Sequence, residues 1–242
     1  EGDEVICPSF TFVSTANAFA LRGARLRFAD NDDYGQLKLD EIERLKSSKT
    51  KAVICVDYAG NSADLDKLRE ICDHYRLSFF QDSAQSIGSK YKGAELGTQS
   101  DLSCLSFHDT KNIGCGEGGA LIINKPEYLE RAEIIREKGT NRSRFINGLV
   151  DKYSWVDLGS SYILSDIHAA YLNPQLIRMN EISLRRKELW HNYFDALHEI
   201  LCDREVQILP TPSYNESNYH MMALMFPNKL HRANFINKMR EK

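Results

Sequence analysis

Short apolar runs alternate with segments of helical periodicity along the first half of the chain. The runs are rich in β-branched and aromatic residues and are bounded by polar or glycine-containing turns, which is typical of strands. They predict strands at 4–7, 25–29, 52–56, 77–81, 102–107 and 120–124. Several have apolar residues at successive positions, as in a sheet covered by helices on both faces. The alternation predicts an α/β fold with a mostly parallel sheet.

The helical segments between these strands carry start and stop signals. Asp40 and Glu43 form a D-x-x-E pattern, which predicts a capping box before IERL. Gly23 and Gly139 stand where left-handed C-terminal caps are expected. The segment DLDKLREICDHYR carries an apolar stripe that should pack on the sheet. The stripe consists of Leu65, Leu68, Ile71, Cys72 and Tyr75.

The second half of the chain changes character. Helical periodicity runs from Ser165 to about Ile200, and Pro174 should kink or interrupt this helix because proline lacks an N–H and its ring clashes with the preceding turn. The polar, proline-containing stretch CDREVQILPTPSYNESN follows, and YHMMALMF at 219–226 predicts another strand.

These changes predict a domain boundary near residue 205. A large domain would occupy 1–204, and the beginning of a smaller C-terminal α/β domain would occupy 205–242. Both ends of the sequence read as interior segments, because EGDEVICPSF leads directly into a strand and FINKMREK stops within a helical pattern. We therefore expect a sequence truncated at both ends.

Composition narrows the possible partners. The formal net charge of -3, from 31 Lys and Arg against 34 Asp and Glu, provides no broad basic field, so we expect no nucleic-acid partner. No apolar run reaches the ~18 residues that cross a bilayer, so we expect no membrane partner. The six cysteines form no CxxC pair and mostly lie in apolar runs, which favours a reducing, cytoplasmic location.

Two predicted strands end in residues that can carry chemistry. Asp82 follows LSFFQ and Lys111 follows LSCLSF, so both side chains meet at one edge of the sheet if the two strands run parallel. An aspartate there often caps the next turn, and a loop lysine is usually solvated. Together, however, an amine and a carboxylate are the protein groups that pyridoxal 5′-phosphate (PLP) needs.

The glycines of GCGEGG, at 114–119, formally match a dinucleotide fingerprint. That fingerprint must open a helix, whereas these glycines lead into the strand predicted at 120–124, so a tight turn is the preferred interpretation. The seven histidines show no H-E-x-x-H spacing, and no serine stands in G-x-S-x-G, so we expect no metal site and no serine esterase. His108 could line a substrate pocket or be a structural histidine.

An ordered set of strings resembles the fold type I, PLP-dependent sugar aminotransferases of the DegT type, which aminate keto groups on nucleotide sugars and related cyclitols. The strings cover essentially the whole chain: GDEVICPSFTFVSTANA, DSAQ, SFHDTKNIGCGEGGALIIN, REKGTNR and LGSSYILSDIHAAYL. The resemblance implies a three-layer large domain. It also places the family's phosphate loop before Glu1 and the rest of the small domain after Lys242.

The resemblance assigns roles residue by residue. Lys111 would carry PLP as a Schiff base, Asp82 would face the pyridine nitrogen, and Gln85 would touch the ring oxygen. Ser106 would hold the phosphate, and Phe12 would stack on the ring.

The resemblance also implies a homodimer with shared active sites, in which the segment around Ser161 reaches the phosphate of the neighbouring subunit. Relatives commonly have Asn where this chain has Ser161 and Arg where it has Ile163, so Ser161 would make this contact less tightly or the contact is lost. Asp57 stands where relatives commonly have His. Neither departure touches Lys111 or Asp82.

Within the family, VDKYSWVDLGSSY and REKGTNR are similar to strings of the branch that aminates dTDP-4-keto-6-deoxyglucose with L-glutamate, for enterobacterial common antigen and related lipopolysaccharide sugars. One alternative is a sister enzyme that acts on another keto sugar or an aminocyclitol. Another is a catalytically silent binding or regulatory protein with the same fold. A sugar dehydrase is disfavoured, because those relatives replace the lysine with histidine.

Overall fold

The computed structural model describes residues 2–241, so Glu1 and Lys242, at which truncation is expected, lie outside the described residues. The strands are β1 Glu4–Pro8, β2 Arg25–Ala29, β3 Thr50–Val56, β4 Ser78–Asp82, β5 Lys90–Tyr91, β6 Ala94–Glu95, β7 Leu102–Ser106, β8 Gly119–Ile123, β9 Gln207–Ile208, β10 Asn215–Glu216 and β11 Leu224–Met225. The α-helices are α1 Val13–Ala20, α2 Glu41–Leu45, α3 Leu65–Tyr75, α4 Leu129–Arg136, α5 Arg142–Ile146, α6 Asp166–Ile177, α7 Met179–Cys202 and α8 Lys229–Arg240.

The central sheet has six strands in the order β2-β1-β3-β4-β7-β8. All neighbours pair parallel except β7 and β8, which pair antiparallel. The predicted α/β fold with a mostly parallel sheet is therefore confirmed. In the pairing of β4 with β7, Asp82 lies opposite Cys104, so the carboxyl ends of these two strands meet at one edge.

The main core lies on one face of the sheet. The predicted stripe of α3 packs there, with Leu65, Leu68 and Cys72 buried and Ile71 and Tyr75 half-buried against the same cluster, which confirms that prediction. A smaller cluster on the other face joins α1 to β1 and β3. Burial on both faces holds only for the central strands, because the outer strands β2 and β8 are largely exposed.

The left-handed caps predicted at Gly23 and Gly139 are confirmed, whereas the capping box predicted at Asp40 and Glu43 is wrong. Gly23 and Gly139 have φ of 78° and 76°, and the Gly139 N–H donates to the Ile134 carbonyl at 2.8 Å. Asp40 makes no capping hydrogen bond through its side chain to any residue between 2 and 241, since it already has helical backbone angles. The adjacent carboxylate, Glu41, instead accepts the Asp30 N–H at 2.8 Å.

The predicted interruption of the helix at Pro174 is also wrong. Pro174 lies inside α6, and the helix breaks at Arg178, where φ is −96° and ψ is 15°. Proline removes a single N–H, and the helix continues because the Arg178 N–H still reaches the Pro174 carbonyl at 3.2 Å. Within the part of the chain that the structure describes, no helix combines the length and apolar character needed to cross a membrane.

The strand predicted at 219–226 is much shorter than expected. Only Leu224 and Met225 pair, with β9. Tyr219 has a left-handed φ of 54°, and the Arg186 guanidinium takes the carbonyls of Tyr219 and His220 that a strand would use. The domain boundary near residue 205 stays a prediction.

Candidate active site

A cavity of about 780 Å³ opens at the carboxyl ends of β4 and β7, between the sheet and the start of α1. Its floor includes apolar side chains from one face of the sheet, such as Ile54 and Phe80. Six residues singled out from the sequence line it together: Phe12, Asp82, Gln85, Ser106, His108 and Lys111. Parallel strands brought them together, because Asp82 ends β4 and Lys111 follows β7.

The Asp82 carboxylate is held from two sides. The Thr15 hydroxyl donates to its Oδ2 at 2.5 Å, and the Ala84 N–H donates to its Oδ1 at 3.1 Å. Thr15 is buried in the first turn of α1, and its hydroxyl also contacts that of Thr11 at 2.7 Å. Charged groups that accept such bonds are oriented before any ligand binds. Asp82 therefore presents a fixed acceptor to the cavity.

A second carboxyl group lies behind Asp82. Asp57 is fully buried and accepts hydrogen bonds from Ser83 Oγ at 2.6 Å, Ser86 Oγ at 2.9 Å and Gln81 Nε2 at 3.1 Å. Burial, together with the smaller effect of the Asp82 charge, outweighs those hydrogen bonds and raises the pKa of Asp57 to about 7. The Asp57 N–H also donates to the Asp82 carbonyl at 2.9 Å, so this network supports the end of β4.

The Lys111 loop is held through its backbone. The Lys111 N–H donates to the His108 carbonyl at 2.9 Å, and Gln175 of α6 bonds both the N–H and the carbonyl of Gly114. Ile113 and Cys115 are buried in a cluster beneath the loop. Among residues 2–241, the Lys111 Nζ has no hydrogen-bond or ion-pair partner, so no protein group holds the end of this side chain in place.

Gln85 and Phe12 contribute a donor and an aromatic face. The Gln85 Oε1 accepts the Ala59 N–H at 2.7 Å, which fixes the amide orientation and leaves Nε2 as a donor without a partner in the described chain. Phe12 lies just before α1 and is 71% exposed, so its ring is available to stack on a ligand in the cavity.

Ser106 and His108 lie on the other side of the cavity. The Ser106 Oγ accepts the His108 N–H at 3.3 Å and keeps its own proton for a ligand. The His108 Nδ1 lies 2.8 Å from an Asp109 carboxylate oxygen, 2.9 Å from the Thr110 hydroxyl and 3.2 Å from the Thr110 N–H, so polar neighbours hold the ring.

Ser161 is the one singled-out residue that does not line the cavity of its own chain. It is exposed and forms a β-bridge with Glu137. The glycine run of 114–119 leads into β8, and the helix N-terminus that a dinucleotide pyrophosphate needs does not follow it.

The donor set fits PLP. It offers an amine for the aldehyde, a carboxylate for the ring nitrogen, an amide donor for the ring oxygen and a hydroxyl for the phosphate. The Cys104 thiol is exposed to the cavity, and partial desolvation there, together with the Asp82 charge, raises its pKa to about 12. A thiol that stays protonated does not compete with the Lys111 amine for an aldehyde.

Sequence reasoning missed Thr15 and the network around Asp57. Thr15 stands in the string GDEVICPSFTFVSTANA, where Ser14 and Asn17 are also polar, so the sequence alone gave no signal that distinguished it. Ser83 and Ser86 flank Gln85 in QDSAQS, but a serine near a site is too common to be informative.

Comparison with solved structures gives three informative relatives. The aminotransferase TlmJ from Streptoalloteichus hindustanus is 31% identical with a TM-score of 0.82, over 92% of this chain and 59% of its own. Helicobacter pylori PseC, an aminotransferase involved in the biosynthesis of pseudoaminic acid, is 27% identical with a TM-score of 0.85, over 96% and 61%. DesI, solved in the presence of its TDP-sugar product, is 26% identical with a TM-score of 0.80, over 93% and 55%.

The chain therefore spans less than two thirds of the length of each of these three chains. In contrast, a sequence-family model matches this chain over its whole length. The DegT/DnrJ/EryC1/StrS aminotransferase family matches residues 1–242, and the chain belongs to that family.

Proposed function

We propose that the protein is a PLP-dependent aminotransferase that transfers the amino group of L-glutamate to a nucleotide-linked keto sugar. The observation that carries the proposal is the placement of Asp82 and Lys111 on one cavity at adjoining strand ends. Family membership and the likeness to solved aminotransferases support the same reaction class.

Each residue has a distinct task in this proposal. PLP, when bound, supplies an electron sink for the carbanion formed at the substrate carbon. The Lys111 amine would hold the cofactor through its aldehyde and would serve as the base that moves the substrate proton. The fixed Asp82 carboxylate would keep the ring nitrogen protonated, and the Gln85 amide would donate to the ring oxygen.

Two further residues complete the proposed binding set. The Ser106 hydroxyl donates to the phosphate, and the exposed Phe12 ring covers one face of the cofactor. His108, which lines the same cavity, is proposed to contact the substrate.

For the acceptor we propose dTDP-4-dehydro-6-deoxy-D-glucose, giving dTDP-4-amino-4,6-dideoxy-D-galactose. The strings VDKYSWVDLGSSY and REKGTNR support this choice, because they resemble those of dTDP-4-amino-4,6-dideoxygalactose transaminase, which serves enterobacterial common antigen. DesI, which is similar to this chain, was solved in the presence of its TDP-sugar product, which supports the nucleotide class.

We further propose that the protein works as a cytoplasmic homodimer with shared active sites. All six cysteines are free, in agreement with a reducing compartment. The surface between 145 and 177 exposes large apolar side chains of the kind that oligomeric interfaces cover. They include Trp155 at 74%, Leu158 at 72%, Ile167 at 82% and Tyr171 at 66% exposure. Ser161 lies in this surface and would reach the cavity of the partner.

The test of the reaction combines spectroscopy and mass spectrometry. The full chain, loaded with PLP, is incubated with L-glutamate and then with a panel of dTDP- and UDP-linked keto sugars. We expect glutamate to convert the bound cofactor to its amino form and one dTDP-4-keto sugar to gain an amino group. Amination of a different sugar would replace the substrate proposal by a sister activity, and failure to bind PLP at all would favour the silent binding protein.

The oligomeric state is tested separately by analytical ultracentrifugation over a range of concentrations. A dimer that weakens on substitution of Ile167 by Arg is expected, because a charge would be buried in the interface. A monomer with full amino-transfer activity would contradict shared active sites.

A further inference from the structure

Asn218 lies between β10 and β11 and is only 2% exposed. Its Nδ2 donates to the Gln85 carbonyl at 2.8 Å and to the Ile87 carbonyl at 3.0 Å. Its own N–H donates to the Ser89 Oγ at 3.0 Å. All three partners belong to the loop of residues 83–89, which directly follows Asp82.

The same residue is also bonded to the lysine loop, residues 107–115. The Asn112 Nδ2 donates to the Asn218 carbonyl at 2.9 Å, and Asn112 directly follows Lys111. A second contact joins the Asn112 Oδ1 to the His220 Nδ1 at 2.8 Å. Asn218 therefore bridges the loop that directly follows the Asp82 carboxylate and the loop that carries the Lys111 amine, although it is distant from both in sequence.

Neighbouring groups hold this bridge in one conformation. The His220 N–H donates to the Asn218 Oδ1 at 3.1 Å, and Arg186 of α7 donates to the His220 carbonyl at 2.6 Å. Gly60 packs so closely on the Asn218 side chain that a Cβ there would clash with it. Burial, with Lys111 and Arg186 nearby, lowers the pKa of His220 to about 4, so the imidazole stays neutral near pH 7.

We propose that Asn218 is a positioning residue that fixes the spacing between loop 83–89 and loop 107–115, and through it the placement of Asp82 relative to Lys111. The consequence of this positioning for catalysis rests on the proposed aminotransferase function. The geometric claim does not, because the hydrogen bonds join protein groups only. The Asn218 side chain donates two hydrogen bonds to loop 83–89, and its carbonyl accepts one from loop 107–115. Asn218 therefore connects two loops, whereas a residue with only local contacts would support one.

The test is hydrogen–deuterium exchange of the PLP-free full chain with Asn218→Ala. Loss of buried hydrogen bonds should accelerate exchange about tenfold in both loops. Asn215→Ala is the matched control, because Asn215 is a buried asparagine of the same segment whose side chain bonds to Ser62 instead. We expect Asn215→Ala to leave both loops at the wild-type rate.

Asn112→Ala removes the bridge from the lysine side only. It should accelerate exchange in 107–115 and leave 83–89 unchanged, and it keeps the test decisive if Asn218→Ala does not fold. Unchanged exchange in both loops of whichever variants fold, or equal acceleration by Asn215→Ala, would overturn the proposal.

A spectroscopic readout separates positioning from general loosening. In PLP-loaded protein, Asn218→Ala should shift the pH midpoint of the visible cofactor band, with the proton affinity changing about threefold or more, while Asn215→Ala leaves it in place. An unshifted midpoint in Asn218→Ala, despite faster exchange, would reduce Asn218 to a structural residue. Because exchange is measured without PLP, its result stands even if the protein transfers no amino group.

Discussion

The two ends of the cavity are built differently. At the carboxylate end, Asp82 is bonded by Thr15 and Ala84 and backed by the buried Asp57 network. At the amine end, only the backbone around Lys111 is held, and its Nζ meets no bonding partner within residues 2–241. The contrast follows from the proposed tasks, since a permanent counter-charge gains from being fixed, whereas a group that binds and then moves a proton must be able to swing.

The largest effect on activity is expected at the amine end of the cavity. Lys111→Ala should abolish the visible cofactor band and lower amino transfer by at least about 10³-fold, because both the covalent link and the proton shuttle are lost. Absorption spectra and turnover assays check this. Lys92→Ala, on the surface away from the cavity, serves as the control. A band that survives in Lys111→Ala would remove the basis of the assignment.

A somewhat smaller effect on activity is expected at the carboxylate end of the cavity. Asp82→Asn keeps the shape but removes the charge, so the ring nitrogen is no longer held protonated and kcat should fall by about 10²-fold. The cofactor should still bind, because Lys111 remains. Steady-state kinetics and spectra of the loaded variant measure both quantities. Normal kcat in Asp82→Asn would show that the carboxylate has no electronic role.

The buried Asp57, which lies behind Asp82, should make the free energy of unfolding depend on pH. The folded pKa of Asp57, about 7, lies above its ordinary value of 3.8, so the stability of the neutral form is complete below about pH 4 and is lost as pH rises through about 7. This group should lower the free energy of unfolding by ~2 kcal/mol between about pH 5 and about pH 8. Urea unfolding at several pH values measures the slope.

Asp57→Asn is the matched variant for that measurement. The amide does not titrate, so its unfolding free energy should lack this component of the slope. If wild type and Asp57→Asn show the same pH dependence, then Asp57 is ionised throughout and the burial argument is wrong.

The smallest effect on kcat is expected when the hydrogen bond from Thr15 to Asp82 is removed. Thr15→Val removes the hydroxyl that bonds Asp82 Oδ2 while keeping the side-chain shape, and kcat should fall roughly fivefold to tenfold. The control is Thr98→Val, whose hydroxyl bonds the Glu95 carbonyl outside the cavity. Equal kinetics in both variants would mean that the carboxylate is held well enough without Thr15.

The local pattern was sufficient for the sheet and for the two reactive ends. The strand boundaries agree within a residue or two, because apolar runs between turn signals depend on nearby residues alone. Asp82 and Lys111 could be placed at one edge because parallel strands align their carboxyl ends. The failures at Asp40, Pro174 and 219–226 all concern positions where a partner distant in sequence, or a neighbouring backbone bond, overrides a local signal.

The sequence by itself determined the α/β fold, the apolar stripe of α3 and which strand ends carry the carboxylate and the amine. Only the tertiary structure decided how those groups are supported. Thr15 reaches Asp82, and Asn218 reaches both loops, across long stretches of chain. Periodicity and propensity report interactions between residues close in sequence, whereas a hydrogen bond between distant segments exists only after the chain has packed.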